Sequence, residues 1–165
     1  MTSEHLLHTI PPIYDGNSKI LILGSFPSVK SREVSFYYGH PQNRFWRVLA
    51  AVLGCAVPSS REEKTALLQS HNIALWDVIK SCDIVGSSDS SIKNIVPNDI
   101  GTILSSCGIR QIYSNGKTSE RLFNKYIKDT VGRDTVALPS TSPANASYNL
   151  ERLTDSWSVI KNHIR

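Results

Sequence analysis

The feature that most restricts the fold is a short apolar run, ILIL at residues 20–23, which lies between the turn sequence DGNS and Gly24. A run of this length, rich in isoleucine and leucine and bounded by turn residues, is typical of a strand buried on both faces, as in a parallel sheet. We therefore predict a first strand over residues 19–23.

Three further runs repeat this pattern and alternate with segments of helical spacing. Strands are predicted at NIALW (72–76), RQIYS (110–114) and residues 135–138, and helices at about 43–54, from Ser59 or Ser60, at 98–104, after Asn115-Gly116 and at 147–164. This alternation predicts an α/β fold, a three-layer α/β/α arrangement around a central, mostly parallel four-stranded sheet, in a single domain over residues 1–165. Residues 82–99 show neither period and are predicted to form a loop.

The composition excludes several classes of protein. With 40% hydrophobic and 19% charged residues, the chain is globular rather than disordered. Its three cysteines form no C-x-x-C pair, so no zinc site, iron–sulfur cluster or other cofactor is predicted, and we expect buried thiols in a reducing compartment. No signal peptide or membrane-spanning run is present, which predicts a cytoplasmic protein that does not bind a membrane.

Three polar, turn-rich segments follow three of the predicted strands: GSFPS…FYYGHPQN, SNGKTS and PSTSPAN. In a parallel sheet the carboxyl ends of the strands lie at one edge, where ligands bind. We therefore expect these segments to surround one crevice.

Two of these segments allow more than one interpretation. SNGKTS resembles a phosphate-binding loop, but Gln111 stands where the first glycine of that motif is needed. It is then either an ordinary strand-to-helix turn or a turn that directs Asn115 and a helix N-terminus at a ligand. PSTSPAN is either a connector or a loop stiffened by Pro139 and Pro143, which would suit the gripping of phosphates.

The first segment carries three consecutive aromatic residues, Phe36, Tyr37 and Tyr38. One of them could stack on a base, an interaction worth roughly 1–3 kcal/mol in nucleic-acid complexes. Alternatively, they form a small core under the loop. His40 and Asn43 could likewise have no role beyond hydrogen bonding to backbone groups. The net charge of +4 favours a polyanionic partner, although weakly.

Taken in order, the three motifs resemble the uracil-DNA glycosylase superfamily over most of the chain. GSFPS followed by HPQNRFW is similar to the mismatch-specific uracil and thymine-DNA glycosylases, which carry G-I-N-P-G and an H-P-x-N-R-F-W-like segment. YSNGKTSERLF resembles their F-N-G-K segment and LPSTSPANA their P-S-x-S motif. Phe26 replaces the catalytic asparagine of that branch. The combination resembles the hypoxanthine-DNA glycosylase family, in which a later asparagine, matching Asn43, is catalytic.

This resemblance implies a uracil-DNA glycosylase-like fold and a monomeric, monofunctional enzyme of base excision repair. It would act on DNA in the nucleoid, without a cofactor, and hydrolyse the N-glycosidic bond of deaminated bases, mainly hypoxanthine, to leave an abasic site. Asn43 would be catalytic. The base would be bound by Tyr38, Ser25, Phe26, His40 and Asn115, and the DNA backbone by Ser140, Thr141, Ser142, Pro143, Asn145, Lys117 and Arg44.

Two alternatives remain open from the residues themselves. The protein could be a mismatch-type uracil-DNA glycosylase that uses Asn43. Because an apolar ring replaces the usual amide at Phe26, it could also be a lesion-binding module that has lost hydrolysis.

Overall fold

The computed structural model describes residues 3–85 and 91–165, which form two β-sheets and seven α-helices. The strands are β1 (Glu4–Leu7), β2 (Ile20–Gly24), β3 (Ile73–Asp77), β4 (Ile79–Ile84), β5 (Lys93–Pro97), β6 (Gln111–Asn115) and β7 (Thr135–Leu138). The helices are α1 (Val29–Val34), α2 (Phe45–Leu53), α3 (Arg61–Ser70), α4 (Ile100–Ser106), α5 (Lys117–Tyr126), α6 (Lys128–Val131) and α7 (Leu150–Trp157).

The larger sheet has four strands in the order β3-β2-β6-β7, and all its neighbours are parallel. β2 lies inside this sheet and all five of its residues are buried, as its apolar run predicts. The predicted parallel four-stranded sheet is thus confirmed, with each strand within one residue of its expected position.

Helices cover both faces of this sheet, so the predicted three layers are also confirmed. Successive β2 residues point to opposite faces. Ile20 and Ile22 join a core that includes residues of α2, α3 and α7, whereas Leu21 and Leu23 join a second core with residues of α4 and α5. Two separate apolar cores therefore hold β2, and with it the loop that follows Gly24.

The smaller sheet has the order β1-β4-β5 and is antiparallel, which the sequence did not predict. The predicted loop over residues 82–99 is wrong, because β4 extends to Ile84 and β5 runs from Lys93 to Pro97; residues 86–90 lie outside the described part. β5 is largely exposed, and in β4 the polar residues Ser81 and Asp83 interrupt the run of apolar residues. β4 pairs with residues 4–7, a distant partner that a local pattern cannot reveal, and β5 in turn pairs with β4.

Three local features also differ from expectation. The segment after β2 contains α1, capped by the Ser28 hydroxyl, which accepts a hydrogen bond from the Ser31 N–H at 3.2 Å. The last helix begins later than predicted, at Leu150, and continues as a 3-10 helix over Ser158–Asn162. Cys82 is buried and Cys107 half-buried, but Cys55 is exposed, so the expectation of three buried thiols is wrong for Cys55.

Candidate active site

The loops after β2, β6 and β7 meet at the carboxyl edge of the parallel sheet and enclose a cavity of about 680 Å³. Ligand pockets for small molecules commonly have volumes of about 300–1,000 Å³. All the site residues expected from the sequence line this cavity except Arg44. The expected crevice is therefore present, and it brings the three motifs together.

Tyr38 presents an aromatic ring to this cavity. Its ring stacks on Phe45 with a centroid separation of 4.1 Å and an interplanar angle of 18°. Tyr37 is buried and donates its hydroxyl to the Pro11 carbonyl at 2.8 Å, and Phe36 packs on Trp46. Of the three consecutive aromatics, Tyr38 is thus the one placed for stacking, while its two neighbours belong to the core.

The Tyr38 hydroxyl is buried and makes no hydrogen bond within the described residues. Burial, together with the nearby charge of Asp77, raises the pKa of Tyr38 well above its ordinary value. The phenol therefore stays neutral even at a pH at which an exposed tyrosine would ionise, and it presents an uncharged aromatic surface.

Asn43 lines the cavity at the start of α2. Its Oδ1 atom accepts two hydrogen bonds, from the Phe45 N–H at 2.9 Å and from the Thr141 hydroxyl at 2.9 Å. Its Nδ2 group has no partner in residues 3–85 or 91–165. An amide neither gains nor loses a proton near neutral pH, so Asn43 can hold and orient a molecule but cannot act as an acid or base.

Asn115 and Thr141 bind each other across the cavity wall. The Thr141 N–H donates to Asn115 Oδ1 at 3.1 Å, and Asn115 Nδ2 donates to Thr141 Oγ1 at 3.0 Å. Thr141 is fully buried. Its side chain is therefore not placed to contact a DNA phosphate, and only one hydrogen of the Asn115 amide is left for a bound base.

Arg44 holds the loop after β7. Its guanidinium donates to the carbonyl oxygens of Ser142 at 2.8 Å, of Asn145 at 3.1 Å and of Tyr148. The guanidinium of Arg44 thus binds three carbonyls within the protein, a set of contacts that the sequence did not predict.

The rest of this loop is held by short-range hydrogen bonds. The Ser142 N–H donates to Ser140 Oγ at 3.1 Å, and Asn145 Nδ2 donates to the Ser140 carbonyl at 3.0 Å. Gly116 has a φ of +96°, and a Cβ there would lie 3.1 Å from Ser140 Cβ, so the turn after β6 supports the loop closely. Pro143, Lys117 and His40 are exposed at the rim of the cavity.

Asp77 and His8 form a polar pair at the cavity that sequence reasoning did not identify. His8 Nε2 lies 2.8 Å from Asp77 Oδ2, and the two side chains are only 1% and 6% exposed. A Cβ on Gly24 would collide with Asp77 Oδ1 and lie 3.0 Å from the Tyr38 hydroxyl, so glycine leaves room for both groups.

One of these two residues was within reach of sequence analysis. Asp77 directly follows the predicted strand at residues 72–76, at the edge where a crevice is expected. His8 could not be predicted from the sequence, because its position depends on the smaller sheet. Its N–H donates to the Lys80 carbonyl of β4 at 2.7 Å.

Two absences concern residues 3–85 and 91–165, the part that the structure describes. No group of three or more His, Cys, Asp or Glu side chains in this part of the chain has an arrangement that could hold a metal ion. Among the same residues, every helix is too short or too polar to cross a bilayer.

Comparisons with known proteins agree with this geometry. The chain is 34% identical over 155 residues to the hypoxanthine DNA glycosylase of Methanosarcina acetivorans, covering 93% of this chain and 96% of that protein. It is 35% identical over 150 residues to the hypoxanthine DNA glycosylase of Methanosarcina barkeri, covering 90% and 93%.

A solved structure has the same fold. The solution NMR structure of a "putative Uracil DNA glycosylase" from M. acetivorans matches with a TM-score of 0.78 and 33% identity, covering 92% of this chain and 93% of that one. The family model of the uracil DNA glycosylase superfamily matches residues 11–161. The chain therefore belongs to the uracil DNA glycosylase superfamily.

Proposed function

We propose that this protein is a DNA glycosylase that removes deaminated bases, mainly hypoxanthine, by hydrolysing the N-glycosidic bond and leaving an abasic site. The observation that carries the proposal is the meeting of Tyr38, Asn43 and Phe26 in one cavity, in a chain similar over at least 90% of its length to two hypoxanthine DNA glycosylases. We propose further that residues 1–165 form a single glycosylase domain that acts as a monomer.

The cavity suits an extruded base. An enzyme that acts on a base in DNA must take the nucleotide out of the helix and hold it in a pocket. The Tyr38 ring, supported by Phe45 at 4.1 Å, offers a flat apolar surface for a purine. Ring stacking of this kind is sequence-tolerant and is worth roughly 1–3 kcal/mol per base.

The polar groups suit hydrolysis through a cationic sugar. As the glycosidic bond breaks, positive charge develops on the sugar, and a water molecule must stand close to C1′. The Nδ2 group of Asn43, which has no partner among the described residues, would hold that water, and the Asp77 carboxylate would supply a negative charge. Positioning and electrostatics must provide most of the acceleration, because an amide cannot take the proton.

The leaving base needs a hydrogen-bond donor, because negative charge develops on it. Candidates at the cavity are His40, the remaining amide hydrogen of Asn115 and the backbone N–H of Ser25. The DNA backbone on either side of the extruded nucleotide would contact five residues that line the cavity: Ser140, Ser142, Pro143, Asn145 and Lys117.

The proposal is tested by a single-turnover assay with excess protein and an end-labelled oligonucleotide that carries one deoxyinosine. We expect cleavage at the inosine only after alkali, weak or absent cleavage at uracil, and a loss of roughly 100-fold or more in Asn43→Ala, because the water is no longer positioned. Asn124→Ala is the matched control, since Asn124 is exposed on α5, away from the cavity.

Each alternative predicts a different result. Comparable cleavage at uracil would favour a mismatch-type uracil-DNA glycosylase. Tight, lesion-selective binding without product from any substrate would favour a binding module. Full activity in Asn43→Ala would remove Asn43 from the chemistry.

A further inference from the structure

We infer that Thr141 is a positioning residue for base excision, whose buried hydroxyl fixes the orientation of the Asn43 amide. The inference rests on the proposed role of Asn43. Three side chains, one from the end of β6 and two from different loops, form one chain of hydrogen bonds: Asn115 Nδ2 to Thr141 Oγ1 at 3.0 Å, then Thr141 Oγ1 to Asn43 Oδ1 at 2.9 Å.

The direction of these hydrogen bonds is determined by two backbone N–H groups, which can only donate. The Thr141 N–H at 3.1 Å identifies the facing Asn115 atom as Oδ1, so the Asn115 nitrogen is the atom that donates to the Thr141 hydroxyl. The Phe45 N–H at 2.9 Å identifies the facing Asn43 atom as Oδ1 in the same way. The single hydroxyl hydrogen of Thr141 must therefore point to Asn43.

These hydrogen bonds determine how the Asn43 side-chain amide is oriented. With two donors on its Oδ1, Asn43 has its carbonyl turned into the protein and its Nδ2 group left to donate to the water. The terminal torsion of an asparagine side chain is broad, so one contact would fix it poorly. The Phe45 N–H is one contact, and the Thr141 hydroxyl is the second.

The Thr141 hydroxyl can be removed without removing the hydrogen bonds that hold its loop in place. Two backbone bonds anchor the loop at this point without using the side chain: the Arg44 N–H donates to the Thr141 carbonyl at 3.0 Å, and the Thr141 N–H donates to Asn115. Valine has nearly the shape of threonine. Thr141→Val therefore removes the hydroxyl while keeping both backbone anchors.

The test compares Thr141→Val and Thr141→Ser by single-turnover excision of hypoxanthine and by the Kd for the same DNA. We expect Thr141→Val to lower the rate roughly ten-fold or more with little change in Kd, since a lost hydrogen bond and a misplaced reacting group act together. Thr141→Ser, which keeps the hydroxyl, should stay within about three-fold of wild type, a difference below 1 kcal/mol.

Thr135→Val is the matched control. The Thr135 hydroxyl bonds Ser114 Oγ at 2.8 Å on β6 and makes no contact with Asn43. Its loss should leave the excision rate unchanged. Thermal unfolding of all three variants reports whether any rate change follows from lost stability instead.

A double substitution separates positioning from a general structural effect. If Thr141 acts through Asn43, adding Thr141→Val to Asn43→Ala should lower the rate no further. An equal fall in both backgrounds, or an unchanged rate in Thr141→Val, would overturn the inference.

A readout independent of activity distinguishes this inference from the proposed function. The NMR signals of the Asn43 side-chain amide should shift in Thr141→Val and stay close to wild type in Thr141→Ser. Unchanged signals in Thr141→Val would overturn the positioning role. A wild-type protein that releases no base, but shows the expected shifts, would refute the proposed function and leave the positioning of Asn43 supported.

Discussion

Replacing Arg44 by methionine tests whether this residue holds the loop after β7 or binds DNA. In the structure its guanidinium donates to the carbonyls of Ser142, Asn145 and Tyr148, at 2.8 Å and 3.1 Å for the first two. Methionine keeps an unbranched apolar stem of similar reach and removes every donor. The substitution therefore isolates the guanidinium from the packing of its stem.

The expected effect is on stability. Hydrogen bonds to a charged group contribute about 1.5–3 kcal/mol each, although bonds from one group do not add fully. The half-buried charge also costs energy, since its Nε atom is buried without a partner among the described residues. We therefore expect Arg44→Met to lower the free energy of unfolding by about 2–4 kcal/mol, well below the full sum of three bonds.

Urea denaturation measures this free energy, and Arg47→Met is its matched control. Arg47 lies in α2, three residues after Arg44, but it is exposed, and its hydrogen bonds to the carbonyls of Gln42 and Asn43 are long, at 3.4 Å and 3.5 Å. Its replacement should change the free energy of unfolding by no more than about 0.5 kcal/mol.

The salt dependence of DNA binding gives the second measurement. A lysine or arginine that neutralises one phosphate contributes about 0.9 to the slope of log K against log salt concentration. Lys117→Met, which removes an exposed charge at the cavity rim, should lower the slope by about one. Arg44→Met should leave the slope as in wild type. A stable Arg44→Met protein with a slope reduced by about one would refute the reasoning and make Arg44 a phosphate ligand.

Two further predictions concern the cavity wall. Tyr38→Phe should keep base excision and raise the free energy of unfolding by about 1 kcal/mol, because it removes a buried hydroxyl without a described partner. In wild type the folded protein keeps the Tyr38 proton that the unfolded chain releases near pH 10, so stability falls as pH rises through that value. Urea denaturation at pH 7 and pH 10.5 should show the advantage of Tyr38→Phe growing; a constant or shrinking advantage would contradict it. Asp77→Asn can still accept a hydrogen bond from His8 but loses the charge; if the cationic sugar lies about 8 Å away, that charge is worth about 2 kcal/mol at an effective dielectric constant of about 20. The single-turnover rate should fall about 30-fold, and an unchanged rate would show that Asp77 does not stabilise the transition state.

The parallel sheet and its binding edge were predictable because their signals are local. Buried strands such as β2 are continuous apolar runs, and the parallel arrangement alone places the segments after Gly24, Asn115 and Leu138 at one edge. The gathering of these segments around one cavity follows from this topology, whatever their detailed conformation.

The contacts that determine the role of each side chain were not predictable from the sequence. A sequence pattern cannot show that the guanidinium of Arg44 turns inward to carbonyls about 100 residues away, or that Thr141 is buried between two asparagines. The smaller sheet was missed for a related reason, since β4 pairs with residues 4–7 and β5 is half-exposed. His8 reaches Asp77 only through that sheet.

The span of chain that builds the cavity makes activity an indicator of complete folding. Groups around it come from as early as His8 and as late as Asn145, and they belong to both sheets. A partly folded molecule that has released either sheet has therefore also lost part of its cavity wall. During synthesis, a growing chain cannot hold a base until almost all of these residues have been made and docked.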